Sequence, residues 1–304
     1  MMEHFLCISD CAASELETLL DLSIELKEKD KAKNGIQDKT LDCKVLAMVF
    51  EKASLRTRMS FQIAMTDLGG QGIYLKPEDI GILGEREPIK DMARVFGRYV
   101  HGIMARTYAH DTLIELAKYA GVPVINALSD WSHPCQAMAD MLTIKEHLGD
   151  LKGLKLTFIG DGNNVARSLA FACAKLGLDM TVASPEGYVL DQETVKQANF
   201  ERQCLTLVPD AVEAVQGAHI IYTDTWVSMG QEQETKQRIK DFDGFQVNAD
   251  LISHAPDARI MHCLPAHRGH EITDEIAESK YSVIFDQAEN RLHFQRALLA
   301  KLLA

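Results

Sequence analysis

The strongest constraint on the fold is a regular alternation of short apolar runs with amphipathic segments in the first half of the chain. The apolar runs, which predict buried strands, lie at 45–50, 72–75, 102–105 and 122–127. The amphipathic segments, which predict helices, lie at 56–68, 88–99 and 111–120. Strands that alternate with helices form a parallel sheet covered on both faces, so this half predicts one α/β domain.

A second alternation follows a long helix that we expect to begin at Pro134 and to end before Gly149. Its predicted strands lie near 154–160, 180–184, 219–223, 259–263 and 283–286. Two more helices are predicted at 13–28 and 291–303, and the charged stretch 27–33 is interpreted as a solvated link.

These patterns predict the fold class: two doubly wound parallel-sheet α/β domains linked by long helices. We expect the first domain at 1–147, with the final helix, 291–304, packed back on it. The second domain is expected at 148–290. A chain of 304 residues is long enough for two domains that each have a core.

Charge and cysteine usage restrict the possible partners. The formal net charge of −12 argues against nucleic acid or an anionic membrane surface, and it requires any phosphate site to build its own positive pocket. No apolar run approaches the roughly 20 residues of a membrane span, and we expect no signal peptide. The seven cysteines are scattered without metal-site spacing, so we expect free thiols in a cytoplasmic protein.

The first candidate site is the turn after the strand at 45–50. Ser54 is placed to cap the next helix, and a helix N-terminus offers unpaired N–H groups and partial positive charge to an anion. Arg56 and Arg58 add guanidinium groups that suit phosphate oxygens, and Thr57 adds a hydroxyl. The alternative is a plain cap beside two solvated arginines.

A histidine stands at a second helix start. His133 precedes Pro134, where the helix dipole disfavours the charged imidazolium. A neutral imidazole can donate a hydrogen bond to a carbonyl oxygen, and Gln136 lies one turn further on. A surface or capping histidine is the alternative interpretation.

The segment 160–164, Gly-Asp-Gly-Asn-Asn, follows a predicted strand in the manner of a dinucleotide-binding turn. Val165 and Ala166 occupy the place of the third glycine, and the next strand ends in Ser184 instead of an acidic residue. Three interpretations are open: a tight turn, a nicotinamide nucleotide site, or asparagine amides that bind a polar substrate.

Two further strand ends carry candidate functional side chains. Asp224 follows the apolar run 220–222, where a carboxylate suits a substrate ammonium group or caps a turn. Cys263, in a His-Cys-Leu-Pro sequence, is a candidate nucleophile, metal ligand or inert buried thiol. Arg291, at the start of the last predicted helix, belongs to no motif of its own.

Together these stretches resemble the aspartate/ornithine carbamoyltransferase family, and within it the ornithine branch, from about residue 4 to the end. The family's phosphate loop, Ser-Thr-Arg-Thr-Arg, matches 54–58, and a strand end with a second phosphate arginine matches 104–107. The His-Pro-x-Gln motif matches 133–136. Two ornithine-branch motifs match 224–230 (Asp-x-x-x-Ser-Met-Gly) and 262–265 (His-Cys-Leu-Pro, with a cis Leu–Pro bond in the family).

The resemblance implies transfer of a carbamoyl group from carbamoyl phosphate to the δ-amine of L-ornithine, in arginine metabolism. The implied catalytic residues are Arg56, Arg106, His133 and Cys263. The implied contacts to carbamoyl phosphate are Ser54, Leu55, Arg56, Thr57, Arg106, His133, Pro134, Cys135, Gln136, Cys263, Leu264 and Arg291. The implied contacts to ornithine are Asn164, Asp224, Ser228 and Met229.

The resemblance also implies roles for three of these residues. His133 would polarise the carbamoyl carbonyl, Cys263 would lie beside the attacking amine, and Leu264 would offer its backbone carbonyl to the carbamoyl nitrogen. Neither a metal nor an organic cofactor is implied, and the expected assembly is a homotrimer or a multiple of trimers. The alternative is a related transcarbamylase that uses putrescine, acetylornithine or aspartate.

Two positions depart from the family's pattern. Leu55 replaces the usual threonine, which removes a side-chain donor but keeps the backbone N–H. Ile82 stands where bacterial members often carry a glutamine that reaches a neighbouring subunit's site. The resemblance therefore leaves these two contacts without a matching side chain.

Overall fold

The computed structural model describes residues 2–33, 39–227 and 232–304. The chain divides into two compact units, one formed by Met1–Leu142 with Glu289–Ala304 and the other by Thr143–Ala288. Each unit contains one sheet whose strands are all parallel, which confirms the predicted α/β fold class.

The first unit is built on a four-stranded sheet with the order β2-β1-β3-β4. Its strands are β1 (Val45–Phe50), β2 (Gln71–Leu75), β3 (Gly102–Arg106) and β4 (Val124–Leu128). The helices up to the end of this sheet are α1 (Ala13–Lys33), α2 (Leu55–Asp67), α3 (Pro77–Ile80), α4 (Ile89–Tyr99) and α5 (His110–Ala120). Alternate residues of β1 and β3, such as Val49 and Ile103, share a buried cluster with Ala93 of α4 and Leu116 of α5.

The second unit is built on a five-stranded sheet with the order β7-β6-β5-β8-β9. Its strands are β5 (Lys155–Ile159), β6 (Asp179–Ala183), β7 (Leu205–Val208), β8 (Ile220–Thr223) and β9 (Arg259–His262). The remaining helices are α6 (Pro134–Leu148), α7 (Asn164–Leu176), α8 (Gln192–Glu201), α9 (Ala211–Val215), α10 (Thr235–Asp241), α11 (Ala249–Ile252), α12 (Asp274–Ala277) and α13 (Ile284–Leu303). The sequence boundaries of the two units fall inside α6 and α13.

The strand orders determine where a ligand site can lie. In each sheet the chain first adds strands on one side and then returns to the other side, so the order reverses between β1 and β3 and between β5 and β8. Open parallel sheets bind ligands outside the carboxyl ends of the strands at such a reversal. The turn at 51–54 follows β1, and the segment 160–164 follows β5, so both predicted motifs lie at these places.

The predicted strand at 283–286 is wrong. Val283 makes a single strand-like hydrogen bond, from its N–H to the carbonyl of Ile260 over 3.0 Å, and α13 begins at the next residue. A short apolar run does not by itself distinguish a strand from the first turn of a helix. The final helix therefore starts at Ile284 instead of the predicted 291, and among the described residues no helix is long and apolar enough to cross a lipid bilayer.

The interpretation of 27–33 as a solvated link is wrong in two respects, although Glu28 and Lys29 are exposed. These residues continue α1, and Lys27 is only 7% exposed. Its Nζ donates to Asn290 Oδ1 over 2.7 Å, so the ammonium group is paired inside the first unit. The predicted list of strands also omitted β7, which lies at the edge of the sheet and has only one buried residue, Leu205.

Candidate active site

Ser54 caps α2, as the sequence predicts. Its backbone is extended (φ −157°, ψ 117°), and its Oγ accepts a hydrogen bond from the backbone N–H of Thr57 over 3.3 Å. Leu55, the first residue of α2, is 75% exposed, so its side chain fills no pocket of the unit. The start of α2 therefore combines helix N–H groups with two hydroxyl groups, which is a favourable arrangement for an anion.

Arg291 of α13 joins the start of α2 to the start of α6. Its Nη2 donates to Thr57 Oγ1 over 2.9 Å and its Nη1 donates to Gln136 Oε1 over 3.2 Å. Gln136 Nε2 donates in turn to Asp140 Oδ1 over 2.8 Å. Arg291 is buried, so its guanidinium group fixes three segments that are distant in sequence.

Three arginine side chains lie near enough to His133 to affect the charge of its ring. His133 is buried and precedes Pro134, which is the first residue of α6 as predicted. Burial lowers the pKa of the imidazole well below its usual value, and the positive charges of Arg291, Arg106 and Arg56 lower this pKa further. At neutral pH the ring is therefore uncharged and can donate one hydrogen bond to a carbonyl oxygen.

We call Arg56, Arg106, His133 and Arg291 the cationic cluster. Arg106 ends β3 and is buried, so its charge, like that of Arg291, is held at a fixed place. Guanidinium groups gathered beside a helix N-terminus suit a doubly charged oxyanion such as a phosphate group. Because a neutral histidine lies within the same cluster, the site can also polarise an uncharged carbonyl next to that phosphate.

Cys135 lies close to this cluster, but its thiol is inert. Its Sγ donates to the backbone carbonyl of Asn126 over 3.4 Å. Burial raises the pKa of the thiol to about 12, and the positive charge of Arg291 offsets this rise only in part. The side chain therefore stays protonated at neutral pH, and its contact to a ligand remains a prediction.

In the second unit, the carboxyl ends of β5, β8 and β9 bring together Asn163, Asp224, His262 and Cys263, which we call the strand-end cluster. Asp224 is buried, and its Oδ2 accepts a hydrogen bond from Asn163 Nδ2 over 2.8 Å. Its Oδ1 accepts one from Cys263 Sγ over 3.0 Å. Both oxygens of the carboxylate are thus oriented by neighbouring donors.

Asn163 owes its orientation to the helix that follows it. Its Oδ1 accepts hydrogen bonds from the N–H groups of Val165 and Ala166 at the start of α7, so its Nδ2 is left to donate to Asp224. Of the three interpretations of the segment 160–164, this geometry favours asparagine amides that serve a polar site. Asn164, the predicted ornithine contact, is the first residue of α7.

The predicted contacts after β9 lie in a sharply turned segment. Leu264 has a positive φ of 57°, and the Leu264–Pro265 bond is cis, as the family motif implies. The N–H of Leu264 donates to His262 Nδ1 over 2.8 Å. Ser228 and Met229, which the sequence predicts as ornithine contacts, lie outside the described residues.

Asp224, His262 and Cys263 also offer donor atoms within 4.8 Å of one another, a spacing that a metal ion can bridge. Each of these groups already has protein partners. His262 Nδ1 accepts from Leu264, its Nε2 lies 3.1 Å from Glu271 Oε1, and the Cys263 thiol donates to Asp224. A metal would have to displace these hydrogen bonds, so the arrangement favours a protein network over a metal centre.

Sequence reasoning left two supporting residues unassigned. Asp140 orients Gln136 from four positions further along α6, which is the spacing at which helical side chains meet. Asn163 orients Asp224 from a helix N-cap, a position that asparagine favours. Both signals are present in the sequence, but neither indicates which side chain lies opposite in the fold.

Comparisons with known proteins match both units. A family model described as the carbamoyl-P binding domain of aspartate/ornithine carbamoyltransferase matches residues 3–146. A second model, described as the Asp/Orn binding domain of the same family, matches residues 152–302. The two models therefore cover nearly the whole chain.

Individual relatives are similar over their full length. An ornithine carbamoyltransferase of Methanocorpusculum labreanum is 51% identical, covering 100% of this chain and 99% of the relative. An ornithine carbamoyltransferase of Pyrococcus furiosus described as anabolic is 52% identical, covering 97% and 94%. A solved structure of ornithine carbamoyltransferase from Pyrococcus furiosus has a TM-score of 0.95 at 50% identity, covering 99% of this chain and 97% of that one.

Proposed function

This chain belongs to the aspartate/ornithine carbamoyltransferase family, and from that premise we propose that it is an ornithine carbamoyltransferase. It transfers the carbamoyl group of carbamoyl phosphate to the δ-amine of L-ornithine and releases L-citrulline and phosphate, as a step of arginine biosynthesis. The observation that carries this proposal is the cationic cluster around a buried, neutral histidine, in the region that matches the carbamoyl-P binding model.

Carbamoyl phosphate binds to the first unit. The N-terminus of α2, with Ser54 and Thr57, receives the phosphate, and Arg56 and Arg106 neutralise its charge. During transfer, negative charge grows on the bridging oxygen that leaves with the phosphate. Positive groups that are already in place stabilise this charge without having to reorganise.

His133 and Gln136 hold the carbamoyl group. The neutral imidazole donates a hydrogen bond to the carbonyl oxygen, which gains negative charge when the amine attacks the carbon. An imidazolium would be a stronger donor, but burial, together with three neighbouring guanidinium groups, makes it costly to form. Arg291 sets the orientation of Gln136 and also presents its charge to the phosphate.

Ornithine binds to the second unit. Asp224 receives the α-ammonium group, while Asn164, Ser228 and Met229 bind the amino-acid end of the substrate. Cys263 lies beside the δ-amine, which has to lose a proton before attack because the pKa of a free alkylamine is about 10. The reaction forms one C–N bond and breaks one C–O bond, so it needs no redox cofactor.

The proposal is tested by a colorimetric citrulline assay with carbamoyl phosphate and one amine at a time. We expect carbamoylated product with L-ornithine and much slower formation with putrescine, N-acetyl-L-ornithine or L-aspartate. Putrescine is the most informative comparison, because it keeps the amine and lacks the α-carboxylate. Equal rates with putrescine and ornithine would exclude an amino-acid substrate, and tight binding of a nicotinamide nucleotide without any citrulline would favour the nucleotide-site alternative.

We also propose that the enzyme acts in the cytoplasm as a homotrimer. The support is the family resemblance, in which the active sites lie near subunit boundaries. Sedimentation equilibrium of the purified protein tests the assembly, and a mass of three chains, or of a multiple of three, is the expected result. A stable monomer with full activity would contradict it.

A further inference from the structure

We propose that His262 and Glu271 form a positioning pair that holds the Cys263–Leu264 turn in the conformation that places the Cys263 thiol and the Leu264 carbonyl beside the reacting groups. The inference rests on the proposed function, since the turn carries the thiol and the carbonyl that the resemblance places beside the reacting groups. The resemblance assigns neither His262 nor Glu271 a catalytic role or a contact to a substrate. Both are fully buried next to this turn.

The first observation is the pair of contacts on the imidazole. His262 Nδ1 accepts the N–H of Leu264 over 2.8 Å, and His262 Nε2 lies 3.1 Å from Glu271 Oε1. The ring therefore bridges the backbone of the turn and a buried carboxyl group. The side chain of His262 is 0% exposed and that of Glu271 is 1% exposed, so water does not replace either contact.

These contacts fix the tautomer of the ring. Burial raises the pKa of Glu271, but hydrogen bonds from His262 and from the backbone N–H of His267 outweigh burial and leave the pKa below its usual value. An ionised carboxylate only accepts hydrogen bonds, so the hydrogen of a neutral ring resides on Nε2 and the lone pair on Nδ1. Only this form of the imidazole can accept the N–H of Leu264.

The second observation is the backbone of the turn. Leu264 adopts a positive φ of 57°, a left-handed conformation that is unfavourable for a residue other than glycine. The hydrogen bond to His262 offsets the cost of this conformation and defines the direction of the Leu264 peptide group. Glu271 Oε1 also accepts the N–H of His267 over 2.6 Å, so one carboxylate holds both ends of the segment 263–267.

Further hydrogen bonds connect His262 to the neighbouring strand of the sheet. The backbone N–H of His262 donates to Gln287 Oε1 over 2.9 Å, and Gln287 Nε2 donates to the hydroxyl of Tyr222 on β8 over 3.0 Å. On the other side of the turn, Cys263 Sγ donates to Asp224 Oδ1. A change in the direction of the Leu264 peptide would therefore move the thiol relative to the carboxylate that orients it.

The test compares two variants of His262 that differ by one methylene group. In His262→Asn the amide oxygen takes the place of Nδ1, whereas in His262→Gln the amide takes the place of Nε2 and the N–H of Leu264 loses its acceptor. We expect His262→Gln to lower kcat/KM for ornithine by about ten- to a hundredfold. We expect His262→Asn to recover most of that loss, and the KM for carbamoyl phosphate to stay within about twofold in both.

The chain offers a matched control at the opposite end of the same sheet. His219 Nδ1 accepts the N–H of Lys155 over 3.0 Å, at the amino ends of β5 and β8. His219→Gln removes the same kind of bond far from the carboxyl ends, so we expect kinetics close to those of the unchanged protein. Two results would contradict the proposed role of the pair. One is an equal loss of kcat/KM for ornithine in His262→Asn and His262→Gln, and the other is the same loss in His219→Gln.

Neutron diffraction on crystals of the unchanged protein gives a test that does not depend on the folding of a variant. Deuterium on Nε2 of His262 and none on Nδ1 supports the pair, and deuterium on Nδ1 overturns it. The citrulline assay of the unchanged protein keeps the two claims apart. If it forms no citrulline, the transfer is refuted. If it forms citrulline while His262→Gln keeps the kcat/KM of the unchanged protein for ornithine, only the proposed role of the pair is refuted.

Discussion

The cationic cluster of the first unit and the strand-end cluster of the second lie at the carboxyl ends of parallel strands, but they hold their functional groups differently. In the first, guanidinium charges act on a neutral histidine, and the carboxylate of Asp140 accepts a hydrogen bond from the neighbouring Gln136. In the second, a carboxylate, Asp224, is held by an amide and a thiol. The first cluster is organised by charge and the second by the direction of hydrogen bonds.

This difference determines which substitutions each cluster tolerates. A cluster that neutralises a dianion loses most when a charge is removed, because the remaining groups cannot supply the missing field. A cluster of directed hydrogen bonds loses most when a donor or acceptor changes its position, even if the total charge is unchanged. Substitutions in the two clusters should therefore lower different kinetic constants.

The largest effect is expected from Arg56→Ala. Removing this guanidinium group should cost about 3–4 kcal/mol of transition-state stabilisation, or about two to three powers of ten in kcat/KM for carbamoyl phosphate. Steady-state citrulline assays measure the loss. The sequence also offers Arg58 for phosphate, but in the structure its side chain is exposed, with its guanidinium carbon 4.0 Å from the centre of the Tyr74 ring. Arg58→Ala is therefore the control from the same helix, and we expect its kinetics to stay close to those of the unchanged protein. A kcat/KM for carbamoyl phosphate close to that of the unchanged protein would remove Arg56 from the cationic cluster.

A smaller and more selective effect is expected from Cys263→Ser. The shorter hydroxyl group withdraws from Asp224 Oδ1, so we expect kcat/KM for ornithine to fall about tenfold while binding of carbamoyl phosphate persists. Titration calorimetry with carbamoyl phosphate, next to ornithine kinetics, separates the two constants. Cys43→Ser, at an exposed cysteine of the first unit, is the matched control. Equal losses for both substrates would contradict an ornithine-side role.

The buried His133 makes the stability of the first unit depend on pH. Its pKa is lowered in the folded protein, so below the usual histidine value of about 6.5 the unfolded chain binds the extra proton and folding loses stability as the pH falls. We expect this to cost about 1.4 kcal/mol in total between pH 7.5 and 5.5. His133→Gln should lack this loss, while the lowered pKa values of His4 and His293 affect both proteins alike.

Urea unfolding at pH 7.5 and 5.5 measures the difference between the two proteins. The pKa of Glu271 is below its usual value, so protonation of this carboxyl group changes the stability only below the pH range of the experiment. Within that range, the change in stability with pH comes from histidine. A difference that does not change with pH would mean that His133 binds its proton equally in both states. It would then be unsuited to act as the neutral donor of the cationic cluster.

Features that depend on local sequence could be predicted. The cap at Ser54 and the helix start at Pro134 follow from a few neighbouring residues, and the strands follow from their apolar runs. The strand at 283–286 failed for the same reason, because three apolar residues suit a strand and a helix start equally well.

Contacts between distant segments could not be predicted from the residues alone. Arg291 contacts Thr57 across 234 positions, and only the family resemblance assigned it to the site. The ammonium group of Lys27 looked solvated because its partner, Asn290, lies 263 positions away. His262 and Glu271 are separated by only nine positions, but their pairing depends on a backbone turn that no sequence pattern specifies.

The smallest effect is expected from restoring the family's threonine at Leu55. The side chain is 75% exposed at the start of α2, so a new hydroxyl would compete with water for the phosphate and add about 0.5–1 kcal/mol at most. We expect Leu55→Thr to lower the KM for carbamoyl phosphate by no more than about fivefold. Leu55→Val, which has the shape of threonine without the hydroxyl, separates the hydrogen bond from the change of shape. If Thr improves the KM far more than this while Val does not, the cationic cluster depends on directed hydrogen bonds as much as the strand-end cluster does, and the contrast between charge and direction would not hold.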